Sequence, residues 1–427
     1  MQESKTNKQP LYVIILLILA AEAVFILPFV LARIFRPTFL ETFAITNTQI
    51  GSCFSVYGLV ALFSYLFGGP LADKFRPHIL MSVALMLTAL GGFYLATYPT
   101  VKHLHWLYGF WGFTTIFLFW AAMIKATRIW GGTNKQGIAF GFLDGGRGLT
   151  AALFGSIGVL IFSLFITKDI ELTSLNERRI AFKQVITYTS LAVCVIAVLV
   201  FFFLKNLNNL EGVQIKKAKT LTLENFRKIM EFKAIWLLMI IILCAYFGYK
   251  MTDVFSLYAK DVMGYNDIEA AKVGTYLLYM RPIIGVIIGL LADRTRASLW
   301  IVIGFIVMAI TSLIFTSGII NDSTTLLFIL SIGTMALGVY SARVLYFATL
   351  EEANIPLTLT GTAVGFISIV GYTPDIFAGP LIGYYLDNYP GEAGHQIVFA
   401  IMAGFCTVGT IVSFLFYRHT KNSNTAI

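Results

Sequence analysis

The chain has 427 residues, of which 58% are hydrophobic and 12% charged, and its formal net charge is +9. A soluble globular protein carries about 25% charged residues, so this composition excludes a soluble fold. Apolar runs of about 20 residues recur along the whole chain, which is the length that a helix needs to cross a bilayer. Because these runs lack the apolar–polar alternation of transmembrane barrel strands, they predict an all-α polytopic membrane protein.

The apolar runs fall into two sets of six. Residues 1–9 are polar and no small-residue cleavage site follows the first run, which predicts a retained helix and not a signal peptide. The segments lie at about 11–35, 50–72, 79–98, 106–128, 137–166 and 184–204, then at about 233–259, 270–291, 298–318, 325–350, 362–386 and 395–417. We therefore predict an N-terminal six-helix bundle in residues 1–204, a basic cytoplasmic linker in 205–232 and a C-terminal six-helix bundle in 233–427.

A charged motif between apolar runs occurs twice. Leu71-Ala72-Asp73-Lys74-Phe75-Arg76 returns half a chain later as Leu291-Ala292-Asp293-Arg294-Thr295-Arg296, and a glycine precedes each aspartate by four residues, Gly69 or Gly289. Such repetition is typical of membrane proteins built from two pseudo-symmetric halves. The loops on the side of the N-terminus are the richer in Lys and Arg, so both termini are predicted to be cytoplasmic. The net positive charge is therefore assigned to these loops and not to nucleic-acid binding.

The cysteines and histidines do not indicate a metal site. Cys53, Cys194, Cys244 and Cys406 lie inside apolar runs without CxxC spacing, which predicts buried small side chains. No nucleophile–base or metal-ligand spacing is apparent along the sequence. We therefore predict neither an enzyme nor a cofactor.

Ionisable side chains inside the apolar segments are the strongest indication of a functional site. Each costs about 2.5–3.5 kcal/mol at the centre of a membrane helix, so it needs a partner or a role. The cations are Arg33, Lys125, Arg147, Lys250, Arg281 and Arg343, and the anions are Glu22, Asp144, Asp253 and Asp375.

Spacing along the helices predicts two internal ion pairs among these charges. Asp144 with Arg147, and Lys250 with Asp253, are three residues apart and would share a helix face. The other cations then outnumber the remaining carboxylates, and a surplus of buried positive charge is stable when an anion completes it. Arginine offers a bidentate fork to phosphate, sulfonate or carboxylate groups. We therefore predict a small organic anion bound between the halves by Arg33, Lys125, Lys250, Arg281, Arg343 and Tyr249.

Three carboxylates, Glu22, Asp144 and Asp375, are candidates for proton coupling. A carboxylate beside cations in a low dielectric can be tuned to bind a proton near physiological pH. Proton-coupled transport, exchange and facilitated flux all remain open at this point. Two other functions also remain open: a non-transporting membrane sensor of an organic anion, and a proton-coupled permease for drugs or sugars.

The repeated Gly-x-x-x-Asp-Lys/Arg motif resembles the signature loop of the major facilitator superfamily, which follows helices 2 and 8. The resemblance extends over the twelve segments and the basic linker. A finer resemblance is to the organophosphate:phosphate antiporters, which include the glycerol-3-phosphate and hexose-phosphate permeases. It rests on Leu31-Ala32-Arg33, Trp120-x4-Lys125-x4-Trp130-x6-Gly137, Tyr249-Lys250, and Gly361-Thr362-Ala363-x-Gly365-Phe366 followed by Gly371-Tyr372.

The resemblance implies a transporter of the bacterial inner membrane whose two bundles rock about a central site. Its substrate would be a sugar phosphate, sulfonate or carboxylate, with protons or inorganic phosphate as the coupling ion. Arg33 and Lys250 would clamp the anion from the two halves. The repeated motif would close the cytoplasmic gate through Gly69, Asp73, Lys74, Arg76, Gly289, Asp293 and Arg294.

The chain departs from the antiporters at several positions, and Asp375 and Arg343 are not part of their pattern. Lysine replaces arginine at 125 and 250, and Ile129 stands where they carry a histidine. Since a lysine is a point charge and not a fork, these departures weigh against phosphate exchange but not against an anion permease. Arg33 lies about 35 Å along helix 1 at 1.5 Å per residue, so both the midplane and the outer mouth are open as its location.

Overall fold

The computed structural model describes residues 10–131, 136–166, 173–205, 227, 229–355 and 360–425. Helices make up the regular structure within these ranges. In the N-terminal half they are α1 (Leu11–Ile34), α2 (Arg36–Phe43), α3 (Asn47–Lys74), α4 (Pro77–Leu95), α5 (Val101–Gly131), α6 (Gln136–Leu164) and α7 (Leu175–Phe203). In the C-terminal half they are α8 (Lys233–Met251), α9 (Phe255–Asp261), α10 (Asp267–Arg294), α11 (Ala297–Thr316), α12 (Thr325–Leu345), α13 (Thr349–Glu352), α14 (Thr360–Gly371), α15 (Pro374–Asn388) and α16 (Glu392–Thr425).

Eleven helical stretches in the described part of the chain are long and apolar enough to cross a membrane. The 28-residue α3 adds a twelfth long segment. The predicted all-α polytopic membrane fold is therefore confirmed. The predicted segment 362–386 is interrupted between α14 and α15, where Pro374 begins a new helix. The predicted linker lies mostly outside the described residues.

The sequence repeat extends over a whole helix in each half. Helices α3 and α10 are both 28 residues long, and both end at the basic residue of the repeated motif. Each begins with a capping box, in which two residues exchange side-chain and backbone hydrogen bonds. The partners are Thr46 and Gln49 in α3, and Asn266 and Glu269 in α10. The two helices are thus the same structural unit, occurring once in each half of the chain.

The two ends of the bundle are named here by what they carry. The hairpin face contains the start of α1 and the turns after α3 and α10, where the repeated motif lies, and the opposite face contains the end of α1 and the turns before α3 and α10. Buried apolar residues form two clusters, one drawn chiefly from each half. The space between these two clusters is therefore where polar residues of both halves can meet.

Two glycines on α6 lie where this helix contacts α10 of the other half. A Cβ on Gly155 would lie 2.7 Å from Ile34 and 3.1 Å from Thr275, and one on Gly148 would lie 3.0 Å from Pro282 of α10. A Cβ on Gly145 or Gly141 would meet no described atom within 4 Å, nor would one on Gly289 of α10. Helices α6 and α10 are therefore in close contact at Gly148 and Gly155, whereas no such contact is found among the described atoms at Gly141, Gly145 or Gly289, nearer to the hairpin face.

Helix α1 is distorted where it passes the centre of the molecule. Its residues Ile26–Val30, which include Pro28, form a π-helical turn, and Phe113–Trp120 of α5 form another. Such turns widen the helix locally and are frequent at functional sites. The turn in α1 lies between Glu22 and Arg33, the two charged residues of that helix within the described chain.

Candidate functional site

The intramembrane charges form ion pairs between helices. Arg147 Nε lies 2.9 Å from Glu22 Oε2, Arg281 Nη2 lies 3.0 Å from Asp144 Oδ1 and Lys250 Nζ lies 2.9 Å from Asp375 Oδ1. The fourth pair is Arg33 with Asp253. The predicted pairs Asp144–Arg147 and Lys250–Asp253 are therefore wrong. A buried charge requires direct, well-oriented contact, and here neighbouring helices provide it.

One pair joins the first and fifth membrane segments of the N-terminal half. Glu22 of α1 bonds Arg147 of α6, and both side chains are largely buried. The rings of Phe25 and Trp120 lie 5.4 and 5.7 Å from Arg147 Cζ, within cation–π range. The guanidinium is thus enclosed by one carboxylate and two aromatic faces.

The equivalent segments of the C-terminal half are joined with reversed charges. Lys250 of α8 bonds Asp375 of α15, and the Tyr246 hydroxyl donates to the same carboxylate at 3.0 Å. Phe29 and Phe54 of the other half lie 4.8 and 5.3 Å from Lys250 Nζ. Lys250 therefore already has a carboxylate partner in this conformation.

The Arg33–Asp253 pair connects the halves and is deeply buried, with 3% and 8% of the side chains exposed. The two positions are 220 residues apart, the same separation as between the repeated motifs. Arg33 also donates to the Tyr249 hydroxyl at 2.9 Å, and its carbonyl accepts from Ser256 at 2.7 Å. Arg33 thus lies on the opposite-face side of the molecule, where the halves are in contact.

Arg343 on α12 is bonded differently from the other cations. Its Cζ lies 3.5 Å from the centre of the Tyr249 ring, but within the described chain no carboxylate pairs with it and its buried Nη1 has no hydrogen-bond partner. Tyr340, one turn earlier, is 1% exposed, and its hydroxyl also has no partner among the described residues. Asp144 and Arg281 lie within electrostatic range of Arg343. We call Asp144, Arg281, Tyr340 and Arg343 the central cluster.

Lys125 lies away from the central cluster. Its Nζ donates to the Ala72 carbonyl at 2.8 Å, near the end of α3. A lysine in this position satisfies a carbonyl of the last helical turn. The structure therefore brings Arg281 and Arg343 together, and it places Lys125 beside the turn that follows α3.

The residues of the repeated motif lie at the hairpin face. Lys74, Arg76, Asp293 and Arg294 are exposed there. No described atom lies within 4 Å of a Cβ built on Gly289. The surroundings of Gly69 and the side chain of Asp73 lie outside what the structure describes. The gating role of the motif therefore stays a prediction.

An ion-pair network on the opposite face was not predicted from the sequence. Lys260 of α9 bonds Glu41 and, at 2.8 Å, Asp267 of α10. Arg178 of α7 bonds the same two carboxylates at 2.7 and 3.2 Å. Burial alone would lower the pKa of Lys260, but Asp267 and Glu41 raise it above its ordinary value. This opposite-face network, formed by Glu41, Arg178, Lys260 and Asp267, ties the halves together.

Two further contacts close the same face. The backbone N–H groups of Asn47 and Thr48 donate to Asp387 of α15 at 2.9 and 2.7 Å. Arg36, which is buried, donates from Nε to the Asn47 side chain at 3.0 Å. The helix N-terminus of α3 thus receives a carboxylate from the other half, which its dipole favours.

Comparison with known proteins identifies the family. Residues 11–378 match the family model of the Major Facilitator Superfamily, so the chain belongs to this superfamily. It is a multi-pass membrane transporter and not an enzyme. Among curated proteins it is similar to two from Escherichia coli (strain K12). "Inner membrane protein YihN" is 27% identical over 385 residues, and "Inner membrane protein YqcE" is 26% identical over 380. These alignments cover 88% of this chain, and 88% of YihN and 87% of YqcE.

Solved structures show the same fold at low sequence identity. A bacterial homolog to the human lysosomal transporter Spinster, in an inward-facing and unoccupied conformation, superposes with a TM-score of 0.72 at 16% identity and covers 98% of both chains. A mutant form of the nucleoside transporter NupG also superposes with a TM-score of 0.72 at 14% identity, over 95% of this chain and 98% of NupG. The match to these structures concerns the fold alone.

Proposed function

We propose that the protein is a secondary active transporter of a small organic anion: a sugar phosphate, a sulfonate or a carboxylate. The observation that carries the proposal is Arg343, which has no carboxylate partner in the described chain and whose Nη1 is buried without a hydrogen-bond partner there. A buried donor without a partner is costly. An anion between the halves would satisfy Arg343 Nη1 and accept from the Tyr340 hydroxyl at the same time.

Arg343 and Arg281 then bind the anion, and Tyr249 and Tyr340 shape the site. The organophosphate-antiporter resemblance assigns this role to Arg33 and Lys250, but Asp253 and Asp375 occupy both cations here. We propose that these two pairs belong to the change of conformation, and that they come into contact with the anion only when the opposite face opens.

We further propose that the hairpin face is cytoplasmic, in agreement with its basic loops. The names of the two E. coli relatives support a location in a bacterial inner membrane. The conformation described is then open toward the cytoplasm and closed by the contacts of the opposite face, as alternating access requires of one of its two states.

The carboxylates among the intramembrane charges support coupling of transport to a proton gradient. Glu22, Asp144 and Asp375 are all ion-paired, but Asp144 is 49% exposed against 5% and 18% for the other two. Asp144 is therefore the carboxylate to which solvent protons have access. Uptake into proteoliposomes with and without a pH gradient tests this coupling, and equal uptake in both would leave exchange or facilitated flux.

A thermal-stability screen of the purified protein tests the substrate class. Glucose 6-phosphate, glucuronate and hydroxyethanesulfonate are compared with glucose and ethylene glycol, which lack the anionic group. At least one anion should raise the melting temperature, and Arg343→Gln should abolish that increase. Lys125→Gln, which removes a cation outside the central cluster, should retain it. Equal stabilisation by the neutral compounds would contradict the proposal and favour a sugar permease.

A further inference from the structure

The Asp144–Arg281 pair differs from the other three intramembrane pairs. Arg281 is 4% exposed, whereas its partner Asp144 is 49% exposed. The carboxylates of the other pairs are 5%, 8% and 18% exposed. Because Asp144 bonds a residue of the other half, we infer that its exposed part faces the space between the halves. A mobile anion can therefore reach this ion pair.

The pair also occupies a distinct position between α6 and α10. Gly148, one turn after Asp144, packs against Pro282 and Arg281, whereas Gly145 and Gly141 have no described neighbour within 4 Å of a built Cβ. Asp144 thus bonds Arg281 beside the close contact at Gly148. Arg343, whose Nη1 is without a partner in the described chain, lies within electrostatic range of both residues.

We propose that Asp144 is a tethered competitor for the anion site: its carboxylate holds Arg281 in the absence of substrate, and the substrate anion displaces it. The inference rests on the proposed function and assigns Asp144 a role separate from proton coupling. A carboxylate fixed to the same protein competes at a high effective concentration. An anion that reaches Arg281 can nevertheless displace Asp144, because it also satisfies Arg343 Nη1 and the Tyr340 hydroxyl, which have no hydrogen-bond partner in the described chain.

Displacement has a consequence for the halves. The Asp144–Arg281 bond joins α6 to α10, so an anion that takes Arg281 also releases one connection between the bundles. Substrate binding and the freedom of the halves to move are then linked by one free energy, as reciprocal coupling requires. A substrate that bound equally well with the Asp144–Arg281 pair formed or broken could not drive the movement of the halves.

Binding of glucose 6-phosphate, glucuronate and hydroxyethanesulfonate to the full-length protein in detergent, measured by isothermal titration calorimetry, tests the inference. Asp144→Asn should bind the preferred anion about fivefold or more tightly than wild type, the lower end of usual coupling energies. A residue that only supports the fold would weaken binding when it is replaced. Glu22→Gln is the matched control, because it neutralises a carboxylate that lies within electrostatic range of Arg281 but does not bond it, so it should tighten binding less than Asp144→Asn does.

A second comparison covers the case in which Asp144→Asn fails to fold. Arg281→Gln leaves Asp144 free to pair with Arg343, so the double variant Asp144→Asn with Arg281→Gln should bind the anion more tightly than Arg281→Gln alone. Equal binding by wild type and Asp144→Asn, or by the single and double variants, would overturn the inference and leave the proposed function standing. Binding of none of the three anions by any of these proteins would overturn both.

Discussion

The two halves of the molecule share one backbone plan but not one distribution of charge. Helices α3 and α10 have the same length and the same capping box. The pair between the first and fifth segments of the N-terminal half is Glu22–Arg147, whereas the corresponding segments of the C-terminal half carry Lys250–Asp375. The repeat therefore specifies the scaffold, and the differences between its copies determine how the buried charges are distributed.

The Glu22–Arg147 and Lys250–Asp375 pairs differ in their position along the bundle as well as in the order of their charges. At the separation that relates Arg33 to Asp253, Lys250 corresponds to Val30, which lies two helical turns beyond Glu22 in α1. Two turns of helix span about 11 Å, so the C-terminal pair lies nearer to the opposite face. Arg343 corresponds in the same way to Met123, which is fully buried and apolar. The candidate anion site is thus built mainly from the C-terminal half.

The largest expected effect concerns the reversed pair of the C-terminal half. Lys250→Met leaves the partly buried Asp375 without its cation, and removal of one partner of a fully buried pair costs about 3–5 kcal/mol, so the loss should approach the lower end of this range. Replacing both, by Lys250→Met with Asp375→Leu, should restore most of the lost stability. The free energy of unfolding in mixed micelles measures both. A double variant as unstable as the single one would show that the pair does not act as a unit.

The second-largest expected effect concerns Arg343, which has no charged counterpart in the N-terminal half. Arg343→Gln should weaken binding of the preferred anion by about 2 kcal/mol or more, which is the loss expected for a desolvated charged contact. Arg343→Lys should recover part of the affinity, since it restores the charge without the fork. Titration calorimetry on monodisperse protein provides the measurement. If Met123→Gln weakened binding as much as Arg343→Gln, the site would not be specific to the C-terminal half.

A smaller effect is expected at the opposite face. Lys260→Gln should cost about 1 kcal/mol or less, because Lys260 is partly exposed and Arg178 remains to pair with both Glu41 and Asp267. It should nevertheless increase the population in which the opposite face is open. Spin labels at Thr97 and Asp322, exposed loop positions in the two halves, would report this as a longer distance in a background without the native cysteines. An unchanged distance distribution would show that the opposite-face network does not hold this state.

The smallest expected effect is that of pH on Lys260. Because its pKa is raised, its contribution is fully present below the pKa of an unfolded lysine, about 10.4, and is lost only as the pH rises through the higher folded value. Between pH 7 and 9 the charge of Lys260 should therefore not alter the Thr97–Asp322 distance. If a transition in that range were present in wild type and absent from Lys260→Gln, it would contradict this assignment.

The fold could be predicted from the sequence, because the features that membrane insertion requires are local in the chain. Apolar segments must be long enough to cross the bilayer, and the repeated motif marks the same turn in each half. The capping boxes were also visible in principle, as Thr46 precedes Gln49, and Asn266 precedes Glu269, by three residues. These features depend on residues close together in the chain.

The partners of the buried charges could not be predicted in the same way. The i, i+3 rule places Arg147 beside Asp144 on one helix, but Glu22 of a neighbouring helix approaches it directly. Such contacts depend on how helices are juxtaposed, which the spacing within one helix does not describe. The opposite-face network was missed because its residues lie in or next to the predicted loops. Charges of opposite sign at nearly the separation of the repeat, such as Glu41 and Lys260, were a usable signal.

The position of the Arg33–Asp253 pair has a consequence for assembly. Both residues occupy the same place in the repeat, so they face each other across the pseudo-two-fold axis. Two identical halves would place the same residue at both positions, as any self-complementary interface does, and like charges would then be buried against each other. The pair makes each half a poor partner for its own copy and a good one for the other. If the halves were expressed as separate chains, this contact would select the mixed complex.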